Sequence, residues 1–518
     1  VNDLVALLNS LPSIPEIRAE KARRSLAEFF RQSWHVLEPS TPLLWNWHME
    51  AICLHVQVAL TDWEEKQKDP SYVQRIKDLL INVPPGSAKS RIVSVCAPAW
   101  MWLRCPTWRV ICLSGNPRVA TRDSLYCRTL IESDWYQGSF APPWQLAADQ
   151  DTKTLYKNTA GGFRQASTMT SKIAGDRADA LLVDDPNDAE EVNSEAHRHE
   201  VNDRWDTAIA NRVNDPRSSV RIGIMQRLHE EDWTGHVLEN GTWTHLVIPQ
   251  EYDPELATDV AHSPIGWCDP RKEPGELLHP ERFPREVLDE EKRRLGSYGY
   301  AGQHQQRPAP KGGGMFKDTW WRFWKPDGVG VEGQRPKGCR AEAARPLPEK
   351  LDVIILSVDA NFGGGELTQG KKRSFMVIQV WAAKGADRYL LDQRRAQWEY
   401  KDGKESFRQM CAAWPRAARK VIEAKANGPA IISDLQSSVP GLVPLNPEGG
   451  KEVRAARMQP EVEAGNVFLP DGAGWLEDFV GEFRTFPNGA NDDQVDAASQ
   501  ALLDLMNRSS WIFEAQAH

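Results

Sequence analysis

Two α/β domains, each built on its own sheet, are what this sequence predicts. From Leu79 to Met225, strand-like apolar runs alternate with helical segments, the pattern of a parallel sheet covered on both faces. Between Arg307 and Leu347 the chain turns rich in Pro and Gly and poor in periodic pattern, which reads as a linker with local structure. A fresh strand pattern begins at Val353, and a chain of 518 residues is too long for one core.

The elements follow in order. Arg18 to His35 reads as a charged amphipathic helix and Met49 to Gln57 as another, giving an N-terminal helical region over residues 1–60. The first sheet domain, 61–300, takes its strands from Leu79–Val83, Trp108–Leu113, Ala180–Val183 and Val220–Met225. Residues 301–350 are the linker. The second domain, 351–506, opens with the strand Val353–Asp359. The runs Phe375–Trp381 and Tyr389–Leu391, separated by Lys384-Gly385-Ala386-Asp387, predict an antiparallel hairpin. A helix, a strand ending near Ile422-Glu423 and further helices complete it. The tail, 507–518, has little predicted structure; docking to a partner and simple fraying both fit. The sequence shows no internal repeat and no low-complexity tract.

Composition, 41% hydrophobic and 26% charged, is that of an ordinary soluble protein. The longest apolar run, Ile92 to Leu103, lies between Arg91 and Arg104, contains Pro98 and is too short to cross a bilayer, so no membrane partner is expected. The start of the chain shows no basic stretch followed by an apolar core, so export is not expected. Eight cysteines stand without CxxC spacing, which argues against zinc knuckles and fits a reducing cytoplasm. A net charge of -9 argues against a protein that coats DNA with its whole surface, yet phosphate binding needs only a local basic face. Lys371, Lys372, Arg373, Arg394 and Arg395 are the best candidates for one. The 21 tryptophans are expected as core or interface anchors.

Val83-Pro84-Pro85-Gly86-Ser87-Ala88-Lys89-Ser90 follows a strand and opens a helix, so backbone N–H groups and the helix N-terminus can hold phosphate. Lys89 would reach the β- and γ-phosphates and the Ser90 hydroxyl would ligate Mg²⁺. Val83 and Ala88 stand where the phosphate-loop pattern has glycines. Further along, Ala180-Leu181-Leu182-Val183-Asp184-Asp185 delivers two carboxylates at a strand's C-terminal end, where open α/β sheets bind ligands. Asp184 would hold Mg²⁺, and Asp185 would act as general base on the attacking water. Either element alone also fits plain turn chemistry; both in this order point to a P-loop-type ATPase.

A second constellation is acidic. Asp359 ends the first strand of the second domain, Glu423 ends a later one, and Asp492, Asp493 and Asp496 open the last clear helix. On a helix, two of those three can face one way. Two-metal hydrolysis of a phosphodiester needs three or four converging carboxylates, and hard oxygen ligands suit Mg²⁺ or Mn²⁺. Each acid alone is ordinary cap or turn chemistry: Asp492 is a natural N-cap, and Asp359 precedes the loop Asn361-Phe362-Gly363-Gly364-Gly365. The order strand-strand-strand-helix-strand-helix resembles a ribonuclease H-like fold. Asp392 is read as a hairpin acid rather than a further ligand.

Together these residues resemble the large terminase family of tailed bacteriophages. Trp45-Asn46-Trp47-His48 is similar to the family's adenine-side motif, Asp184-Asp185-Pro186 to its Walker B strand, and Met225-Gln226-Arg227-Leu228-His229-Glu230-Glu231-Asp232 to its coupling segment. Gln303-His304-Gln305-Gln306-Arg307-Pro308 with Gly312-Gly313-Gly314-Met315-Phe316-Lys317 resembles the junction into the nuclease, and Asn491-Asp492-Asp493-Gln494-Val495-Asp496-Ala497 its terminal acidic helix. The resemblance implies ATP bound by Pro85, Gly86, Ser87, Ala88, Lys89 and Ser90, with the adenine near Trp47 and Gln226 or Arg227 sensing the γ-phosphate. It implies a motor that drives double-stranded DNA into a procapsid, and a nuclease at Asp359, Glu423 and Asp493 that cuts concatemers. The implied partners are the portal protein, a small terminase subunit and other copies of this chain, five on the portal and one in solution. The implied place is the host cytoplasm, transiently at the portal vertex. Many relatives carry an arginine in the phosphate loop where this chain has Gly86-Ser87, so the charge-stabilising arginine stays open among Arg91, Arg122, Arg128 and Arg177. A nuclease whose nucleotide domain regulates without translocating is the alternative; a scaffold with decayed sites, and a transposase or resolvase, explain fewer of these residues.

Overall fold

The computed structural model describes residues 12–147, 152–171, 175–189, 191–192, 194–258, 263–308, 314–326, 335–340, 342–360, 375–424, 428–446, 449–487, 489 and 491–516. The chain divides into two compact units, Val1–Glu290 with Tyr300–Pro308, and Glu291–Gly299 with Ala309–His518. Among the described residues no helix is long and apolar enough to cross a membrane.

Unit one is built on β1 (Asp78–Asn82), β2 (Arg109–Ser114), β3 (Leu155–Lys157), β4 (Phe163–Thr168), β5 (Ala180–Asp184), β6 (Val220–Met225) and β7 (Thr244–Val247). They lie in the order β3-β4-β2-β5-β6-β1-β7, parallel throughout except for the edge pair β3–β4. Alternate residues of the central strands enter two different cores. Leu79, Ile81, Ala180 and Leu182 pack with Ile52 and Val56 of helix Trp47–Lys68, whereas Leu80, Leu181 and Val183 pack with Val201 and Trp205. A sheet buried on both faces needs such continuous apolar runs, which is why β1, β5 and β6 were legible in the sequence. The edge strands β3 and β7, and β4 beside β3, carry mixed polar residues and were not.

Two helices replace the one expected over Arg18–His35: Ile14–Arg24 and Leu26–Leu37. The break is Ser25, whose extended backbone (φ -130°) lets its hydroxyl accept from the Glu28 N–H at 3.3 Å. A serine N-cap satisfies a donor that an uninterrupted helix would leave to the backbone. Phe29, Phe30 and Ile52 share the core of β1, so residues of the 1–60 region that are described belong to unit one. The second helix runs Trp47–Lys68, longer than the expected Met49–Gln57.

Unit two holds β8 (Arg322–Lys325), β9 (Arg345–Pro346), β10 (Val353–Asp359), β11 (Met376–Lys384), β12 (Asp387–Ala396), β13 (Arg419–Glu423), β14 (Leu442–Leu445) and β15 (Val467–Pro470), ordered β14-β13-β10-β11-β12-β15-β8-β9. The hairpin β11–β12 pairs Lys384 with Asp387 across its turn, and β10 runs antiparallel to β11 and parallel to β13. Described residues of the expected linker from Gly314 onward are part of this unit, whereas 301–308 belong to unit one: β8 and β9 extend the second sheet, and Phe316, Trp321 and Phe323 pack with Phe479 and Phe483. The Pro and Gly content concealed these aromatic anchors. The last helix, Asp493–Gln516, continues through the stretch read as a tail from residue 507. Gly312, Gly313, the loop from Asn361 to Gly365 and the cluster Lys371-Lys372-Arg373 lie outside the described residues.

Candidate active sites

Parallel pairing of β5, β6 and β1 brings the C-terminal ends of three strands side by side in unit one, with Val83 N–H donating to the Met225 carbonyl at 3.3 Å. The loop after β1 therefore faces the acids after β5. Ser87 donates its hydroxyl to the Pro84 carbonyl (2.8 Å), and Gly86 and Ala88 both take positive φ, 77° and 60°. At Gly86 this is structural: a Cβ there would lie 2.7 Å from the Phe283 ring. The helix after Ser90 opens with a wide π-type turn over Arg91–Cys96 before becoming α-helical at Ala97–Arg104.

The four sequence-predicted polar groups meet in pairs. Lys89, buried, places Nζ 2.9 Å from Asp185 Oδ1, and the Ser90 hydroxyl donates to Asp184 Oδ1 at 3.0 Å. A residue not foreseen, Ser94, donates to the other Asp184 oxygen at 2.8 Å. Burial, with Asp185 and Asp123 close by, pushes the Asp184 carboxyl up to about 7. Asp185 sits in the left-handed region (φ 41°), and its Oδ1 accepts the Gln226 backbone N–H at 3.2 Å. Gln226 Oε1 is buried with no hydrogen-bond partner among the described residues.

Arg227, expected as the alternative to Gln226 for sensing the γ-phosphate, is bonded within the coupling segment. Its Nε bonds both Asp232 oxygens at 3.0 Å, and another nitrogen donates to the His229 and Glu230 carbonyls, so it holds the coupling segment in shape. Trp47 stacks on Trp267 with ring centroids 6.2 Å apart, under the Arg271 guanidinium at 5.3 Å. Asn46 donates to the Leu278 carbonyl at 2.6 Å, and the buried rings of His48 and His279 stand 5.6 Å apart. The segment Trp267–Phe283 thus backs both Trp47 and the phosphate loop. Sequence reading missed it because it has no periodic pattern. Of the open arginines, Arg91 is tied to Glu38 and Asp123 and lies over Tyr126, Arg128 pairs with Glu132, and Arg177 donates to the Val213 carbonyl. Arg122, half-exposed, bonds Asp123 at 2.9 Å, close enough to Asp184 to feel its charge.

In unit two, β10 and β13 run parallel with Val358 beside Ile422, so Asp359 and Glu423 follow at adjacent strand ends. Helix Asp493–Gln516 lies across them: Ser357 donates to the Ala497 carbonyl (2.7 Å) and Gln500 to the Val421 carbonyl (3.0 Å). Asp359 is buried, and burial with Asp496, Asp493 and Glu423 nearby holds its carboxyl well above the usual range. Two cations not foreseen complete the cluster. Arg454 contacts Asp496 at 2.7 Å, and Lys451 reaches both Asp496 and Asp492 at 2.7 Å. Asp493 Oδ2 accepts the Phe375 N–H at 3.2 Å. Asp392 accepts from Trp414 Nε1 (3.1 Å) and the Gln393 N–H (2.8 Å), the behaviour of a packing and turn acid.

Among the described residues no group of three or more His, Cys, Asp or Glu side chains is placed to hold a metal ion as they stand. The donor set nevertheless fits hard divalent cations: acids raise one another's affinity for protons, a repulsion that cation charge relieves. Lys451 and Arg454 already take both Asp496 oxygens, and Lys451 takes Asp492. Arg454 also lies 3.9 Å from Glu423. That distribution leaves Asp359, Glu423 and Asp493 as the better ligand candidates. A Lys-x-x-Arg pair one helical turn apart after Gly449-Gly450 was the available signal for the cations.

Residues 357–505 match the family described as "Terminase RNaseH-like domain". No curated protein matches the chain. Among solved structures it is similar to the large terminase of a thermophilic bacteriophage, with 10% identity and a TM-score of 0.42 over 87% of this chain and 98% of that one. It is also similar to the HK97 bacteriophage large terminase (8%, TM-score 0.34, 86% and 90% covered). A third similarity is to the large terminase nuclease of thermophilic phage G20c with bound zinc (16%, TM-score 0.23, 28% and 78% covered).

Proposed function

We infer that this chain, bearer of a terminase RNase H-like domain, is the large terminase subunit of a tailed bacteriophage, an ATP-driven motor for double-stranded DNA joined to a DNA-cutting nuclease. The observation that carries the reading is the pairing of Lys89 and Ser90 with Asp185 and Asp184, on the same chain as that domain.

In unit one, the backbone of Gly86 to Ser90 cradles phosphate oxygens, and Lys89 leaves Asp185 to meet their charge. Ser90 and Asp184 would hold Mg²⁺, which neutralises charge developing on the transferred phosphoryl group. Asp185, released from Lys89, is placed to accept a proton from the attacking water. Because its Oδ1 also takes the Gln226 N–H, a change at Asp185 passes directly to the end of β6. In unit two, Asp359, Glu423 and Asp493 would hold Mg²⁺ or Mn²⁺, which activates water and offsets charge on the leaving oxygen. Lys451 and Arg454 oppose the upward pull of burial on the Asp496 carboxyl and fix the helix that carries Asp493. The portal protein, a small terminase subunit and further copies of this chain are the partners proposed, with work done at the portal vertex in the host cytoplasm.

The test is ATP hydrolysis by wild type and Lys89→Ala with and without linear duplex DNA, beside plasmid cutting in Mn²⁺ with Asp359→Ala. ATPase lost only with Lys89 and cutting lost only with Asp359 supports the reading. Cutting with no Lys89-dependent ATPase, even with portal present, would replace the motor by a nuclease with a nucleotide-binding regulatory domain.

A further inference from the structure

Beside the acid cluster of unit two lies an open cavity of about 520 Å³, within the range of nucleotide-sized ligand sites. Its walls include Phe375, Gln393, Arg394, Arg395, Trp398 and Trp475. Both indoles are half-buried: Trp475 rests on Phe479 (6.0 Å between centroids) and Trp398 on the β10–β12 core. Packing on one side leaves each ring an anchored wall on the other.

The cavity is continuous with the cluster. Phe375 donates its N–H to Asp493, and Gln494, the next residue, lines the cavity. Its floor is a closed polar network: Gln393 Nε2 donates to Gln494 Oε1 (2.8 Å), Gln494 Nε2 to Glu482 Oε2 (2.7 Å), and Arg395 meets Glu482 at 3.2 Å while lying 3.9 Å over Phe375. A hydrogen-bonded floor resists collapse. Glu482 is committed to Arg395 and Gln494, whereas among the described residues Arg394 bonds the neutral Gln409 amide at 3.1 Å and keeps its charge for the opening. Asp478 sets an acid on the rim, which directs a phosphate to the arginine end. Anchored aromatic walls, a guanidinium held by a neutral amide and a neighbouring site proposed to cut phosphodiesters are the chemistry of a single-strand stacking platform.

We propose that this cavity takes one unstacked nucleotide of the DNA strand being cut, its base against Trp398 and Trp475 and a flanking phosphate on Arg394. The nuclease then engages locally opened DNA rather than an intact duplex. The proposal rests on the nuclease reading of the acid cluster.

Binding is measured with full-length chain in EDTA, where no cutting occurs, using a labelled oligothymidylate and a blunt duplex of equal length. Trp398→Ala and Trp475→Ala are expected to weaken single-strand binding about tenfold or more and duplex binding about twofold or less, with Trp398→Phe close to wild type. Arg394→Gln should lower the salt slope of single-strand binding by about one. Wild-type protein should also quench a 2-aminopurine placed in a single-stranded gap, a readout needing no variant. Unchanged single-strand binding in folded alanine variants, equal loss on both DNA forms, an unquenched 2-aminopurine, or preference for RNA overturns the proposal. Cutting in Mn²⁺ with Trp variants that bind as wild type sinks the cavity alone. Trp-dependent single-strand binding without any cutting sinks the nuclease reading alone.

Discussion

Lys89 Nζ stands 2.9 Å from Asp185 Oδ1, so the lysine of the phosphate loop and the second acid after β5 hold each other. The pair keeps a buried cation from standing alone and occupies the carboxylate that the proposed reaction needs as a base. Asp185→Asn removes that base while the Ser90–Asp184 contact stays. ATP turnover is expected to fall about 100-fold or more, with plasmid cutting retained. Phosphate release and gel assays on one preparation check it, and turnover within a few-fold of wild type would remove Asp185 from the chemistry.

Gly86 adopts φ 77° and faces the Phe283 ring. In Gly86→Ala the new methyl meets both a left-handed backbone and that ring, so nucleotide affinity should drop while the fold persists. Titration with a fluorescent ATP analogue reads the loss, and Phe283→Ala in the same background should restore part of it by removing the contact.

Asp359 is buried among acids that disfavour its charge. Its cost to folding at neutral pH should vanish in Asp359→Asn, which is expected to abolish cutting and raise the melting temperature by about 2 °C or more. A lower melting temperature would mean that the carboxylate stabilises the folded chain instead.

Arg454 and Asp496 form a contact with both side chains nearly sealed from solvent, 6% and 4% exposed. Arg454→Ala strands a buried carboxylate and should cost about 3 kcal/mol or more in denaturant unfolding. Arg454→Lys should recover part of that, and a cost near zero would show that Lys451 alone neutralises Asp496.

Burial lowers His48 and His245 to about 3, each remaining neutral in the fold; His245 bonds Asn82 Oδ1 at 2.7 Å. Below the unfolded-state value of 6.5 the unfolded chain takes up protons that the folded chain refuses. Stability from these groups is therefore present above 6.5 and lost progressively as pH falls towards 3. Raised carboxyls such as Glu482 act with the opposite sign, so the informative quantity is a difference. His245→Gln should flatten the decline between about pH 7.5 and 5.5 relative to wild type in urea unfolding; parallel curves would contradict it.

The sequence by itself determined the two-domain α/β organisation and where its central strands lie along the chain. Those strands are buried on both faces, and such burial writes a continuous apolar run that survives in one dimension. It also located Lys89, Ser90, Asp184 and Asp185, because a strand-loop-helix turn and a strand ending in paired acids are local patterns. The outer strands β3 and β4 of the first sheet and β8 and β9 of the second left no such run. Only the tertiary structure decided what surrounds each site: the backing of Trp47 and Gly86 by Trp267–Phe283, the commitment of Arg227 to Asp232, and the delivery of Lys451 and Arg454 to Asp496. Those partners are brought in from residues without a pattern of their own or from distant turns. Pairing of charges across a fold depends on which strand ends and helices become neighbours, and sequence separation carries no record of that.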